Sequence, residues 1–495
     1  MGARVDRRRE LIACLAAAIL LVLLRSFVFL VYERFFDSDQ AVTGLMAKHL
    51  SEARAFPLFF YGQHYMLGVQ AWLAVPFFWL GGPTMTMLRT PVEIFNLAIT
   101  VSLIVVFVRF GMRPVFAFAA ALPFIATSTA LSKELLSVLG ASVEPFAYVL
   151  ALWMLRRRPI AFGVLLCFGS LHREFTAFAL PALAVAMWAS RREWAWGAIA
   201  RSAAAFAAVW LTIDLLKRHV SAVGPSDTPT AAGSLLLEAQ TLSKDLTWHP
   251  ARYLPRLWQV TTVGLPQLFG ARPYALNDYS ITSTLHVGSL IAGTALGAAL
   301  LVAAIRLLAG RRRADPSVDL RFFVYLAVIG VITILMYGTN ENMLVGYPVQ
   351  LRYLLFAILI PIALFGAYFL TEARPMWQWI VVALLAVWGG ANTRDNARLV
   401  HEFRVAPIPA YHRDLADYLV AHQVKYAWGG YWDTYIIDFF SREQVIVAST
   451  EKVRIASYQR EVTAHDSESV QLVRRPCEGG TLFEAWCLQG APVSR

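Results

Sequence analysis

Two aspartates, Asp37 and Asp39, stand a few residues after a long apolar run, in the segment FFDSDQAVTGLMAKHL. Closely spaced carboxylates can act as a general base or bind a divalent metal ion. A charged residue at a membrane surface that topology does not explain is a candidate for function. We therefore take the two aspartates as the first candidates for a reactive site.

Further charged residues occur at what we predict to be the same ends of other apolar segments. They are Glu144 in GASVEPFAY, His172, Arg173 and Glu174 in LHREF, Lys217 and Arg218, and Arg352 in PVQLRYLLF. Arginine presents a planar fork that matches phosphate oxygens, and a lipid-linked phosphate lies at this depth. Structural roles compete with this interpretation. Glu144 suits a helix start, His172 suits a turn, and the basic residues suit interfacial anchors.

Composition places these residues in a membrane protein. The chain has 495 residues, of which 58% are hydrophobic and 16% charged, and its mean hydropathy is +0.53. Ordinary soluble domains carry about a quarter charged residues. The net charge of +11 comes from short arginine clusters between apolar runs, which is the pattern that sets membrane orientation. We predict a polytopic α-helical membrane protein that has the lipid bilayer, and no nucleic acid, as a partner.

The arginine clusters also predict the topology. If the basic amino terminus is cytoplasmic, about eleven spans place every cluster on the inner side. The run at residues 11–31 is then a retained first helix. Residues 32–90 and 217–284 form outer loops, and residues 391–495 lie outside the membrane. We divide the chain into a transmembrane catalytic domain, residues 1–390, and an extracytoplasmic domain, residues 391–495.

Both outer regions contain predicted secondary structure. The apolar segment YMLGVQAWLAVPFFWLGG indicates a juxtamembrane helix in the first outer loop. In the tail, PAYHRDLADYLVAH and WDTYIIDFFS have helical spacing, whereas KYAWGGYW and EQVIVAS are typical of strands, so a small α/β unit is expected. Cys477 and Cys487 would close a short disulfide loop if the tail is exported, and two free thiols are the alternative.

The order of five motifs resembles a known family. DSDQAVTGLMAKHL, FFYGQHYMLGVQAW, VEPF, LHREF and LRYLLFAILIPIAL are similar to segments of the GT-C superfamily of integral membrane glycosyltransferases. Within it, the chain resembles the bacterial group similar to protein O-mannosyltransferases and the lipid A aminoarabinose transferase. The resemblance implies transfer of a sugar from a polyprenyl-phosphate donor to an extracytoplasmic acceptor, in the bacterial cytoplasmic (inner) membrane. A cell-envelope glycan, a glycolipid such as lipopolysaccharide, or a protein would be the acceptor.

The resemblance also implies roles for single residues. It makes Asp39 the catalytic acidic residue, with Asp37 beside it and Glu144 as a second acidic position, and it assigns the donor phosphate to basic residues. The expected phosphate-binding residues are Arg173, Arg352, Tyr353, Lys217 and Arg218. The expected cavity residues are His172, Glu174, Tyr61, Gln63, Tyr65 and Gln70.

Two departures from the family pattern bear on cofactors. Many relatives have glutamate where this chain has Gln40, and often where it has Gln70. Only Asp37, Asp39 and Glu144 then remain as carboxylate ligands for a divalent metal ion. A metal is therefore an open alternative, and direct stabilisation of the leaving phosphate by arginine is the other.

A single displacement at the anomeric carbon, with a carboxylate as base, would invert that centre. The expected enzyme is a hexosyl- or pentosyltransferase. A transporter or flippase of lipid-linked saccharides, and a polymerase of such units, are the competing functions. Transfer of labelled sugar in detergent would favour an enzyme, and activity that needs sealed vesicles would favour transport.

Overall fold

The computed structural model describes residues 2–140, 142–188, 196–220, 250–272, 275–276, 279–280, 285–310, 318–339, 348–406, 409–477 and 479–490. Most of these residues are helical. The helices that precede the tail are α1 Gly2–Val31, α2 Ser38–Ser51, α3 Val69–Gly81, α4 Met85–Arg109, α5 Pro114–Ile125, α6 Thr129–Leu136, α7 Glu144–Leu155, α8 Pro159–His172, α9 Ala179–Met187, α10 Trp196–Val220, α11 Pro250–Gln259, α12 Leu285–Gly310, α13 Arg321–Tyr337, α14 Leu359–Thr371 and α15 Pro375–Val405.

Several of these helices are apolar enough to cross a membrane. By length and composition, four helices in the described ranges qualify, in α1, α4, α10 and α12. A fifth span results if α5 and α6, which meet at a bend of 79°, count as one broken span. Shorter apolar helices accompany them, and leucines such as Leu20, Leu215 and Leu301 are exposed on the long ones, as lipid-facing residues are. The larger number of about eleven spans stays a prediction.

The segment predicted to be the first outer loop, residues 32–90, contains the helix that the sequence indicated there, α3, and a second one, α2. Helix α2 begins after Asp37, whose side chain accepts a hydrogen bond from the backbone N–H of Gln40 at 3.0 Å and so caps the helix. Strands β1 Phe59–Phe60 and β2 Gln63–Leu67 form an antiparallel hairpin, and α3 follows directly. This loop therefore presents the amino-terminal end of α2 as a defined surface.

The tail forms a five-stranded sheet with helices. Before it in the chain, β3 Ala275–Leu276 and β4 Tyr279–Ser280 form a separate antiparallel hairpin. The elements of the tail are α16 Tyr411–Ala421, β5 Tyr426–Gly429, α17 Tyr431–Phe440, β6 Ile446–Ser449, α18 Ala456–Ala464, β7 Val470–Arg474, β8 Thr481–Phe483 and β9 Trp486–Gly490. The strand order is β6-β5-β7-β9-β8, with β5 parallel to β6 and β7 and the remaining pairs antiparallel. Cys477 and Cys487 are joined by a disulfide.

Helix α15 continues without a break through the predicted domain boundary at residues 390 and 391. The change from the long helices to the tail therefore comes after Val405, about fifteen residues later than the sequence pattern suggests. The cause is that charged residues such as Arg394 and Asp395 end the apolar pattern without ending the helix.

The tail packs directly on the first outer loop. The ring of Phe36 lies 5.3 Å from that of Phe439 and 5.4 Å from that of Phe440. A side chain at Gly44 would meet the Phe439 ring at 2.5 Å, so only glycine lets α2 approach α17 this closely. Arg413 donates two hydrogen bonds to the Glu33 carboxylate, of 2.6 and 3.0 Å, across the same interface.

A buried carboxylate holds the other end of α2 against the tail. Glu443, whose side chain is 8% exposed, contacts Lys48 Nζ at 2.5 Å and His49 Nε2 at 2.9 Å, and it also pairs with Arg54. Tyr458 donates its hydroxyl to the same carboxylate at 2.7 Å. Burial alone would raise the pKa of Glu443, but the hydrogen bonds from His49, Arg54 and Lys48 outweigh burial and hold this pKa well below its usual value.

We expect Glu443→Gln to lower the free energy of unfolding in detergent by about 3 kcal/mol, because it removes the negative charge that compensates the buried cationic partners. The loss is limited because Lys48 keeps its ion pair with Glu52. The exposed Glu468 offers a matched control, and Glu468→Gln should stay within about 0.5 kcal/mol of the wild type. Thermal or denaturant unfolding measures both.

The same contact predicts a pH dependence. Because the pKa of Glu443 is depressed in the folded protein, its contribution is complete above the ordinary glutamate pKa of about 4.3 and is lost as the pH falls below that value toward the folded-state pKa. Glu443→Gln should therefore lose less stability on acidification than the wild type. Equal acid sensitivity of the two proteins would contradict this account.

Candidate functional site

Asp39 lies in the first turn of α2 and faces the tail. Its Oδ1 accepts a short hydrogen bond from the hydroxyl of Tyr431 and another from Arg454 Nη2 at 3.3 Å. Its Oδ2 lies 3.9 Å from Arg352 Nη1, which belongs to the membrane portion. The Asp39 side chain is 18% exposed. One carboxylate therefore meets a phenol and two guanidinium groups at the junction of the helices and the tail.

Sheet topology explains why Tyr431 and Arg454 reach this point. Tyr431 follows the carboxyl end of β5, and Arg454 lies a few residues after the carboxyl end of β6. Ligand-contacting residues of parallel sheets gather at this edge, because the loops after neighbouring parallel strands open on the same side. Ser38 completes the junction by donating its hydroxyl to the Tyr431 carbonyl at 2.6 Å.

The guanidinium of Arg454 is held in one place. Its side chain is 3% exposed, its Nε donates to the Tyr431 hydroxyl at 3.1 Å, and its Nη1 donates to the Gly62 carbonyl at 3.4 Å. The Tyr435 hydroxyl accepts from the backbone N–H of Arg454 at 2.6 Å. The Phe60 ring centroid lies 5.4 Å from Arg454 Cζ. Contacts from the first outer loop and from the tail together orient this group.

The ring of Tyr353 lies between Arg352 and a further basic residue, Arg173. Arg352 Cζ lies 4.9 Å and Arg173 Cζ lies 5.6 Å from the centre of that ring, so the ring joins the two guanidinium groups. Arg173 also covers Phe175 and lies 3.8 Å from Glu174, whose side chain is largely exposed. The structure therefore brings Arg352, Tyr353 and Arg173 into one cationic surface, which meets Asp39 at Arg352.

Ionisation states at the site follow from these contacts. Burial, with the nearby Asp39 adding to it, raises the pKa of Tyr431 well above its usual value, so its hydroxyl stays protonated and donates. Burial together with Arg454 and Arg352 lowers the pKa of Lys452, while Asp39 acts in the opposite direction. Lys452 therefore interacts electrostatically with Asp39, Arg454 and Arg352 and belongs to the same cluster of charges.

Asp37 has a different place from Asp39. Its carboxylate caps α2, and burial and the neighbouring Asp39 raise its pKa although the Gln40 N–H opposes them. Gln40 itself accepts two hydrogen bonds from the buried Arg89, at 3.1 and 2.6 Å. The structure therefore gives Asp37 a capping contact with α2, two residues before Asp39.

Glu144 is brought together with Gln70 rather than with the aspartates. Its carboxylate is buried and accepts hydrogen bonds from Gln70 Nε2 at 2.8 Å and from the Ser142 N–H at 2.9 Å. Across the described ranges, no three histidine, cysteine, aspartate or glutamate side chains gather as a metal site would require. Asp37, Asp39 and Glu144 therefore do not fit the metal-ligand set considered from the sequence.

The remaining predicted cavity residues have varied positions. His172 is buried between the Tyr148 hydroxyl at 2.8 Å and the Gly140 carbonyl at 2.5 Å, which fits a structural turn residue. Tyr61 contacts His49 at 2.9 Å and so belongs to the Glu443 network instead of the surroundings of Asp39. Gln63 begins strand β2 and is half-buried. Tyr65, also half-buried, lies among charges that include Arg173, Glu174 and Arg454.

Two of the predicted phosphate-binding residues, Lys217 and Arg218, lie near the carboxyl end of α10. Lys217 is buried, with its Nζ 5.5 Å from the centre of the Phe59 ring. The side chain of Arg218 lies outside the described residues, as does most of the second outer loop, residues 217–284.

Sequence reasoning missed Tyr431, Lys452 and Arg454. The signal was present in GGYW, at the end of the predicted strand KYAWGGYW, and in TEKVR, directly after the predicted strand EQVIVAS. Reading those loops as the carboxyl edge of a parallel pair would have made them candidates. Their meeting with Asp39, almost 400 residues earlier in the chain, could not be read from local pattern.

No family model matches the chain, and no curated protein matches its sequence. Among solved structures it is similar to the Archaeoglobus fulgidus oligosaccharyltransferase in the apo form, with a TM-score of 0.47 and 13% identity, covering 94% of this chain and 69% of that chain. It is also similar to ArnT from Cupriavidus metallidurans. The form bound to undecaprenyl phosphate gives a TM-score of 0.44 and 13% identity, covering 93% and 92% of the two chains. The apo form gives 0.42 and 13%, covering 92% and 88%.

Both matched proteins are GT-C membrane glycosyltransferases, the superfamily that the sequence resembles. A likeness at these TM-scores and identities transfers no residue role to this chain.

Proposed function

We propose that this protein is an inverting glycosyltransferase that moves a sugar from a polyprenyl-phosphate donor to an extracytoplasmic acceptor. The observation that carries the proposal is the position of the Asp39 carboxylate. It lies among Arg352, which precedes an apolar helix, and Arg454 and Lys452, which belong to the tail. A general base needs a positioned carboxylate, and a departing lipid phosphate needs fixed positive charge. This junction offers both.

The two oxygens of Asp39 differ in their surroundings. Oδ1 is occupied by Tyr431 and Arg454, whereas Oδ2 has only the longer approach of Arg352. Oδ2 is therefore the atom that accepts the proton of an acceptor hydroxyl. Tyr431 and Arg454 act as positioning residues, because they hold the carboxylate in one orientation while the proton moves.

The cationic surface around Tyr353 binds and stabilises the leaving phosphate. The acceptor oxygen forms a bond to the anomeric carbon as the bond from that carbon to the phosphate oxygen breaks, and the electron pair leaves with the phosphate. Arg352 and Arg173 supply fixed charge for the phosphate, because arginine forms paired hydrogen bonds with phosphate oxygens. When the phosphate attracts Arg352, the Oδ2 atom of Asp39 loses its contact with this arginine and can accept the proton.

The position of Arg352 relative to lipid supports a prenyl-linked donor. Arg352 and Tyr353 directly precede the apolar helical segment that includes α14. A phosphate held there leaves its hydrocarbon chain beside apolar helices, which is favourable for a lipid and not for a soluble sugar nucleotide. We place the site on the extracytoplasmic side of the cytoplasmic membrane, with the amino terminus inside and the tail outside, as the arginine clusters indicate.

The proposed step uses these side chains alone, because Asp37, Asp39 and Glu144 do not come together as a metal-ligand set among the described residues. Other parts of the surface select the sugar and the acceptor. Residues 217–284, which contain WHPARYLPRLW, are our candidate for acceptor selection.

We expect Asp39→Asn to reduce transfer of labelled sugar by about a hundredfold or more in detergent, because the amide cannot accept the proton. Asp37→Asn is the matched control. Asparagine caps helices as well as aspartate does, so this variant should keep most of the wild-type rate. Equal loss in both variants would contradict the separate roles, and full activity of Asp39→Asn would overturn the proposal.

The assay also separates the competing functions. Transfer by purified protein in detergent, where no compartments exist, is expected for the proposed enzyme. Movement of lipid-linked saccharide only across sealed vesicles would point to a transporter or flippase. A product that grows by whole repeat units would point to a polymerase.

We expect Arg352→Gln and Arg173→Ala to weaken binding of polyprenyl phosphate by about tenfold or more, because each removes a charge-assisted hydrogen bond of roughly 1.5–3 kcal/mol. Arg394→Gln changes an exposed arginine of α15 away from the site and should leave the affinity unchanged. Titration of purified protein with the lipid measures the constants. Unchanged affinity in Arg173→Ala would make Arg173 an interfacial anchor instead.

A further inference from the structure

A cavity with a volume of about 860 Å³ lies among helices α12, α13 and α14. This size falls in the upper part of the range of small-molecule sites. Its walls are mostly apolar, with Leu307, Phe323, Val324 and Leu364 among them. Water gains little in a space lined by such side chains, whereas a hydrocarbon chain is favoured there.

The cavity runs along α14 from Ile360 to the carboxyl end of the helix, and its charged residues lie at that carboxyl end. Arg352, which contacts Asp39, precedes the amino-terminal end of the same helical segment. The segment from Leu355 to Thr371 spans about 25 Å, close to the roughly 30 Å thickness of a bilayer core. The charged mouth of the cavity and the Asp39 junction therefore lie at opposite ends of this segment.

One polar group inside the cavity is without a partner. Tyr368 lines the cavity and is 0% exposed, and its hydroxyl makes no hydrogen bond within the described part of the chain. A buried hydroxyl without a hydrogen bond costs free energy, so a ligand with an acceptor oxygen near its apolar chain would satisfy it. An ester carbonyl between a hydrocarbon chain and a head group is such an acceptor.

The mouth of the cavity is charged. Arg306 forms two hydrogen bonds with Glu372, of 2.7 and 3.1 Å, and these two charges offset each other. Arg374 adds an exposed guanidinium at the same mouth, which leaves one net positive charge there. An anionic head group is therefore favoured over a neutral one.

We propose that this cavity is a binding site for one anionic phospholipid. One acyl chain enters between α13 and α14, the ester carbonyl accepts from the Tyr368 hydroxyl, and the phosphate pairs with Arg374. The arginine clusters predict that this face is cytoplasmic, where anionic lipids produce the negative surface potential. The site is independent of the transfer reaction proposed above.

Native mass spectrometry of purified full-length protein tests the site. The protein is stripped of lipid, titrated with phosphatidylglycerol or phosphatidylcholine of the same chain lengths, and compared with undecaprenyl phosphate. We expect one phosphatidylglycerol to be retained at least tenfold more tightly than phosphatidylcholine. Equal retention of both would show ordinary boundary lipid and overturn the proposal, as would preferential, Arg374-dependent capture of undecaprenyl phosphate.

Variants assign the binding to this cavity. Ala367→Phe fills it, and Arg374→Gln removes its exposed charge, so each should weaken phosphatidylglycerol binding by about tenfold, whereas Tyr368→Phe should weaken it less. The controls are Ala200→Phe, on an exposed face of α10, and Arg394→Gln. If Ala367→Phe does not fold, Arg374→Gln decides the matter. Unchanged lipid affinity in Arg374→Gln would then refute the site.

Discussion

The packing of the tail against α2 is the constraint on which the candidate site depends. Asp39 alone is a carboxylate at the start of an outer helix. It becomes part of a site because Glu443 anchors the far end of α2, Gly44 lets α17 approach, and Ser38 ties the two amino-terminal turns together. A shift of α2 by an ångström would separate Asp39 from Tyr431 and Arg454, since charge-assisted hydrogen bonds tolerate little change in length.

The charges at this junction are mixed and closely paired. Asp39 has a guanidinium partner at each carboxylate oxygen, Arg454 at Oδ1 and Arg352 at Oδ2, and Lys452 belongs to the same cluster. Asp37 and Glu134 also act on Arg352, so this arginine balances more than one carboxylate. In the proposed function, the phosphate is bound by Arg352 together with Arg173, since both guanidinium groups contact the ring of Tyr353.

The helical segment before α15 connects two chemically different places. Its first residues, Arg352 and Tyr353, contribute to the Asp39 junction, while Tyr368 and Glu372 border the apolar cavity at the other end. Both ends combine arginine with aromatic surface, which suits the interfaces of a bilayer where polar head groups meet hydrocarbon.

The sequence by itself determined the membrane class, the apolar helices, the helix in the first outer loop and the strands of the tail, because these depend on hydropathy and on periodicity within one segment. It also identified Asp39, Arg173 and Arg352 as charges that need an explanation. Only the tertiary structure decided which of these charges meet. Arg454 and Tyr431 reach Asp39 across almost 400 residues, and Tyr61 and Glu144 turn to other partners. Such contacts are set by how whole elements pack, and no local pattern encodes the distance between residues so far apart in the chain.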